Sequence, residues 1–168
     1  MNVATTTSAP VAAYIGLGSN LGDMQAQVRA AIARLAELPH SRLDAQSSLY
    51  RSAPVDADGA DYINAVVRLH TTLPAHQLWQ QMRDIEHDFG RLRPYYHAPR
   101  TLDLDLLLYD DQQIADATLQ VPHPRLTERA FTLLPLLQID PAIQIAGLGA
   151  AHRFVNQVVG QPIQRLPD

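Results

Sequence analysis

The sequence predicts an α+β domain of the split βαβ kind, a mainly antiparallel sheet with helices packed on its faces. Three observations carry that expectation. Apolar segments of strand length alternate with two stretches of helical period, in the order strand, helix, strand, strand, helix, strand. Glycine and proline fall at the joints. A chain of 168 residues with 46% hydrophobic content suits one core, expected over residues 11–168 behind a flexible tail of residues 1–10 rich in Thr, Ser and Ala.

Residues 11–17 form an apolar run that reads as a buried strand, and Gly16, Gly18 and Gly22 punctuate its exit as a tight strand-to-helix turn. Met24, Val28, Ala31, Ile32, Leu35 and Leu38 then recur at helical spacing until Pro39 closes the segment. Residues 43–51 and 62–72 read as two further strands, joined by a loop that holds Pro54, Gly59 and three aspartates. Pro74 suits the start of a helix in which Leu78, Met82, Ile85 and Phe89 share a face, ended by Gly90. The polar loop 90–100 leads to a strand from Leu102 to Tyr109. The two middle strands should pair antiparallel, both helices should cover one face, and the other face should be left for ligands. The remainder predicts a short strand near residues 113–121, a helix interrupted at Pro135 and a terminal helix over 151–159.

Composition narrows the function classes. A net charge of −4 and a pI near 5.9 argue against nonspecific attraction to nucleic acid or an anionic membrane, and favour small-molecule partners. Cysteine is absent, which excludes disulfides and thiolate metal sites. The first ten residues lack the basic start and apolar core of a signal peptide, and no apolar run reaches membrane-spanning length, so a cytoplasmic monomer is expected. The seven histidines show no mutual ligand spacing for zinc. The run Gly16-Leu17-Gly18-Ser19-Asn20 resembles a phosphate loop only superficially, because its lysine is missing and the chain has no lysine at all.

The chemistry gathers around Asp103 and Asp105, two carboxylates inside an apolar run. A side-chain period of two puts Leu102, Leu104, Leu106 and Leu108 on one face, and Asp103, Asp105, Leu107 and Tyr109 on the other. Like charges so close call for a hard cation, Mg²⁺ foremost, or for arginines opposite. Arg91, Arg93 and Arg100 are close in sequence; with a metal they suggest a phosphate ligand, and without one a structural ion network. Tyr62 and Asn64 share a strand face, offering a stacking platform and a donor–acceptor pair for a heterocycle, although plain alternation on a half-buried strand gives the same pattern. His123 is held between Pro122 and Pro124 with Arg129 and Phe131 following; a lone histidine is as compatible with a structural role.

Four strings, Tyr14 to Gly22, Tyr62-Ile63-Asn64-Ala65, Pro99-Arg100-Thr101-Leu102-Asp103-Leu104-Asp105 and Val121-Pro122-His123-Pro124-Arg125-Leu126, together resemble the 6-hydroxymethyl-7,8-dihydropterin pyrophosphokinases of folate biosynthesis over about residues 14–141. The resemblance implies a ferredoxin-like split βαβ fold and transfer of pyrophosphate from ATP to the pterin's hydroxymethyl oxygen, releasing AMP. It implies that Asp103 and Asp105 hold two Mg²⁺ ions and that Arg91 and Arg100 bind the phosphates, these four forming the catalytic set. Tyr62 and Phe131 would sandwich the pterin, Asn64 would read its edge, and backbone groups of the segment from Ser52 to Val55 would complete recognition. On the ATP side, Trp79 and Arg83 would lie near adenine and ribose, with Glu86 beside them, and His123 would contact the phosphates. Many relatives carry Trp-Gly before Pro-Arg where this chain has His97-Ala98, so His97 or Tyr96 would take the lid tryptophan's place. The rival readings are another Mg²⁺-dependent phosphohydrolase or nucleotidyltransferase using the same carboxylates, or a ferredoxin-like ligand-binding module without catalysis.

Overall fold

The computed structural model describes residues 9–53, 61–90 and 102–168. The chain runs through β1 (Val11–Ser19), α1 (Met24–Ala36), β2 (Ser41–Gln46), β3 (Tyr50–Ser52), β4 (Tyr62–Thr71), α2 (Ala75–Phe89) and β5 (Asp103–Tyr109). This is the expected split βαβ, and every pairing in its sheet is antiparallel. β1 lies between β4 and β5, and the far edge of β4 takes both β2 and β3. Asp23 opens α1 by accepting a hydrogen bond from the Ala26 N–H at 3.1 Å. Val28, Ile32 and Leu35 of α1 and Leu78, Met82 and Ile85 of α2 are buried in one core with Ile15, Leu17, Ile63, Val67 and Leu69 of the sheet.

The predicted strand over 43–51 is two strands. At the break, the Ser47 N–H donates to the Val66 carbonyl while the Ser47 hydroxyl oxygen accepts from the Val66 N–H, both at 2.9 Å, so a side chain replaces one rung of the ladder. Gly16 and Gly18 do not form a turn either. They remain inside β1, and of the three glycines just Gly22 takes a left-handed backbone, with φ of 65°.

The leucine alternation of β5 also fails part-way. Tyr14 pairs with Leu108 but Ile15 pairs with Leu106, so Leu107 is an extra residue, a bulge. Past it the faces exchange: Tyr109 joins Leu102, Leu104 and Leu106 in the core under α1 and α2, while Leu107 and Leu108 pack on the opposite side. Asp103 and Asp105 precede the bulge and keep their common face.

That opposite face is not left wholly free. After a small hairpin of β6 (Ile114–Ala115) and β7 (Gln120–Val121), in place of the expected strand, comes α3 (Ala130–Ile139). Leu133 and Leu136 of α3 and nearby Leu126 bury Tyr14, Val66, Leu107 and Leu108 in a second core. The reason is that these four residues make the sheet apolar on both sides at that end. α3 continues through Pro135, which forgoes one backbone bond inside a packed helix. A hairpin of β8 (Gln144–Ile145) and β9 (Gly149–Ala150) follows, then the expected terminal helix, a 3₁₀ helix over Ala151–Gln157, and β10 (Ile163–Arg165), which pairs with β3. Neither the hairpin nor β10 was expected; both are too short to show a period.

Candidate active site

α3 covers only part of the sheet face, and the uncovered part is a cavity of about 280 Å³. Three strands supply its floor in register. Asn64, Gly18 and Asp103 form one row across β4, β1 and β5; in the next, Gly16 and Asp105 continue the floor, while Val66, the partner of Gly16 on β4, is buried in the second core. The walls come from Tyr62, from Arg125 and Arg129 in the turn before α3, and from Phe131 and Thr132 at its start. The Arg129 guanidinium stands 5.4 Å from the Phe131 ring centroid. Asn64 is 3% exposed, and the Ser52 hydroxyl donates to its Oδ1 at 2.6 Å.

A second cavity of about 360 Å³ lies over the outer end of β5, between α2 and the β6–β7 hairpin. Trp79, Arg83, residues 116–120 and His123 line it, and so does Asp105, which borders both cavities. Arg83 lies over the Trp79 ring at 5.5 Å. Asp116 caps the hairpin by accepting from the N–H groups of Thr118 and Leu119, which together with His76 hold its carboxyl below the ordinary range. Glu86 lines neither of these cavities. Its Oε2 accepts from the Leu104 N–H at 2.9 Å and its Oε1 lies 3.0 Å from Arg83 Nη1, so it braces α2 against the strand that carries the aspartates.

His123 follows a cis Val121–Pro122 bond, and its N–H is pinned to the Leu107 carbonyl at 2.9 Å. The Arg125 N–H donates to Nδ1 at 3.1 Å, so the neutral ring carries its proton on Nε2, which faces Asp105 Oδ1 at 3.9 Å. Burial pushes the imidazole below its ordinary pKa; Asp105 opposes that shift, and Arg129 and Arg125 add to it.

The donor set fits Mg²⁺ better than a metal that needs a closed protein cage. Asp103 and Asp105 offer hard oxygens on one wall, and among the described residues no group of three or more His, Cys, Asp or Glu side chains could enclose an ion. Mg²⁺ commonly takes one or two carboxylates and completes its shell with water and substrate phosphate.

The family profile described as 7,8-dihydro-6-hydroxymethylpterin-pyrophosphokinase matches residues 14–141. The chain belongs to this family. It is 41% identical over 136 residues to the 2-amino-4-hydroxy-6-hydroxymethyldihydropteridine pyrophosphokinase of Methylorubrum extorquens, covering 80% of this chain and 86% of that one. With the enzyme of the same name from Pseudomonas aeruginosa it shares 37% identity over 155 residues, 92% and 96% of the two chains. Among solved structures, a wild-type HPPK-DHPS from Plasmodium falciparum superposes with a TM-score of 0.70 at 12% identity, over 88% of this chain and 44% of that one. That likeness shows the ferredoxin-like fold, and the chain spans under half of that longer protein.

Of the residues singled out from the sequence of this family member, Asp103, Asp105, Tyr62, Asn64 and Phe131 meet in the first cavity, with Ser52 directly behind Asn64. Trp79, Arg83 and His123 meet in the second, with Glu86 behind them. Val55, Arg91 and Arg100 lie outside the described residues, as do Tyr96, His97 and most of the loops that hold them. Ala53, from the segment expected to complete recognition, also lines the first cavity; sequence reasoning gave no chemical role to Gly16, Gly18, Arg125 or Thr132 and left Arg129 unassigned, and all five line it too. The arginines could have been found from their spacing around His123. The glycines could have been found as two positions without a side chain on one strand face, a usual mark of close backbone approach.

Proposed function

We infer that this protein catalyses the ATP-dependent transfer of pyrophosphate to the hydroxymethyl group of 6-hydroxymethyl-7,8-dihydropterin, releasing AMP, as a step of folate biosynthesis. The observation that carries the reading is the position of Asp105 on the border of two cavities, one suited to a flat heterocycle and one to a nucleotide. Tyr62 and Phe131 hold the pterin ring between them, and Asn64 reads its edge. Strands about 4.8 Å apart put the Asn64 and Asp103 backbones roughly 10 Å from one another across Gly18, room for a two-ring heterocycle whose hydroxymethyl arm reaches the carboxylates.

On the other side Trp79 and Arg83 hold adenine and ribose, and the Nε2–H of neutral His123 donates to a phosphate oxygen. The hydroxyl oxygen attacks the β-phosphorus in line, the bond from that phosphorus to the oxygen it shares with the α-phosphate breaks, and AMP leaves as the hydroxyl proton is lost. Asp103 and Asp105 would hold two Mg²⁺ ions, which when bound neutralise phosphate charge and lower the pKa of the attacking hydroxyl. Arg91 and Arg100, by family resemblance, bind the triphosphate, and Arg125 and Arg129 add positive charge from the opposite wall. Backbone groups of the segment from Ser52 to Val55 complete pterin recognition. Residues 11–168 act as a single domain, a cytoplasmic monomer that uses neither nucleic acid nor membrane; no helix among the described residues is long and apolar enough to cross one.

AMP release should require both the dihydropterin and Mg²⁺. Turnover of ATP at the same rate without the pterin would overturn the reading in favour of a hydrolase or nucleotidyltransferase. Binding of the pterin without any turnover would favour a ligand-binding module.

A further inference from the structure

Ser52 and Asn64 are neighbours on the same face of β3 and β4, both buried, at 4% and 3% exposure. The Ser52 hydroxyl donates to Asn64 Oδ1 at 2.6 Å. The other end of the amide lies against β1: a Cβ at Gly18 would stand 3.0 Å from Asn64 Nδ2. One end of the amide is therefore tied to β3 and the other occupies the space that the missing Gly18 side chain leaves at the cavity floor. An unconstrained asparagine can exchange oxygen and NH₂ by rotating its terminal torsion, and would then serve an acceptor or a donor equally. Here rotation would turn NH₂ toward Ser52, whose hydroxyl could accept from it only by turning its own proton away from Oδ1, its one hydrogen-bond acceptor among the described residues, in a spot shut off from water.

We propose that Ser52 is a positioning residue that sets substrate specificity: by holding Asn64 Oδ1 it presents the amide NH₂ to the cavity, so that the site selects a heterocycle with an exocyclic oxo acceptor over the same ring bearing an amino group. This rests on the pterin reading of the cavity and adds to it a reason for choosing between two isosteric rings. A site built around a buried hydrogen bond rejects the mismatched isostere strongly, because the mismatch leaves two buried donors facing each other.

The test uses the full chain with ATP and Mg²⁺ and compares 6-hydroxymethyl-7,8-dihydropterin as substrate with its 2,4-diamino counterpart, in which an amino group replaces the oxo group, as competitor. Ser52→Ala should raise the KM for the dihydropterin about tenfold, the scale of one lost buried hydrogen bond. It should also narrow the ratio between the diamino compound's Ki and that KM about tenfold, with a much smaller effect on the KM for ATP. Ser52→Thr, which keeps a hydroxyl and suits a strand, should recover the ratio. A Ser52→Ala enzyme with the wild-type ratio, or a ratio lost in Ser52→Ala and not regained in Ser52→Thr, would overturn the proposal. Absence of pterin-dependent AMP release by the wild-type protein is a separate result, and it overturns the reading of the cavity itself before any variant is made.

Discussion

One face of the central sheet has two ends made from the same three strands, and they do opposite things. At the covered end Arg68, Tyr14 and Leu108 stand in register across β4, β1 and β5, with Val66 and Leu107 beside them under α3. At the open end, two and four residues along β1 from Tyr14, Gly16 and Gly18 have no side chain, and Asn64, Asp103 and Asp105 face a cavity. The difference shows how a site can be made without a dedicated pocket element: β1 changes from a large ring to two glycines, and the helix that seals one end stops short of the other. The covered end also holds the open one in place. Tyr14 donates to Asp140 Oδ2 at 2.6 Å, and Asp140 is the C-cap of the helix whose first turn carries Phe131. Burial and Asp140 push the Tyr14 hydroxyl up to about 12, so it stays a donor throughout the physiological range.

If the covered end supplies stability and the open end chemistry, substitutions should separate along the strand. The largest effect is expected at Leu133, which is fully buried against the covered end. Leu133→Ala should lower unfolding free energy by about 2–5 kcal/mol, measured by denaturant titration; an unchanged midpoint would break the comparison. Next comes Asp105→Asn, expected to reduce turnover ~10²-fold or more while barely moving the melting temperature, since it removes metal-binding charge where phosphate charge must be neutralised. A fall of less than threefold in steady-state kinetics would argue against metal ligation there.

The two glycines sharpen the contrast further. A Cβ at Gly18 meets Asn64 Nδ2 at 3.0 Å, whereas one at Gly16 meets Leu107 at an ordinary 3.5 Å. Gly18→Ala should therefore raise the pterin KM about tenfold, the scale of a disturbed hydrogen bond, and Gly16→Ala several-fold less. Equal effects from the two would show that loss of cavity volume, rather than the placement of Asn64, governs binding.

The smallest effect is a pH dependence of the metal-free protein. Burial first, with Arg129 and Arg125, lowers the folded-state pKa of His123 from 6.5. Between that lowered value and 6.5 the unfolded chain binds more protons than the folded one, so stability rises with pH across the window. The stability is fully present above 6.5 and is lost as the pH falls through the folded-state value. Melting temperatures taken from pH 7 down to 5 should show this fall, and it should be shallower in His123→Gln. An identical slope in both proteins would place the titration elsewhere.

Much of this was legible before the fold, because it lay in local pattern. The helical spacing of α1 and α2 is carried by Val28, Ile32, Leu35, Leu78, Met82 and Ile85, and all are in the core. The shared direction of Asp103 and Asp105 followed from a two-residue period that holds as far as the bulge. What failed depended on partners distant in the chain. Ser47 interrupts its strand by bonding to Val66, nineteen residues away. Leu107 bulges because of its register against β1, and β10 finds β3 across more than a hundred residues. The roles of Gly16 and Gly18 were misread as a turn for the same reason, since their neighbours Asn64 and Asp105 arrive from two other strands.

By itself, then, the sequence determined which residues have the chemistry: two carboxylates with one orientation, an aromatic and an amide on one strand face, a histidine held between prolines, and motifs shared with the pyrophosphokinases. Periodicity and residue type are local properties, and they are written in the order of the chain. Only the tertiary structure decided that Gly18 stands between Asn64 and Asp103, that Asp105 borders two cavities, and that α3 leaves part of a sheet face open. Strand register and helix placement are settled by burying apolar surface across the whole domain, and no window along the chain contains that information.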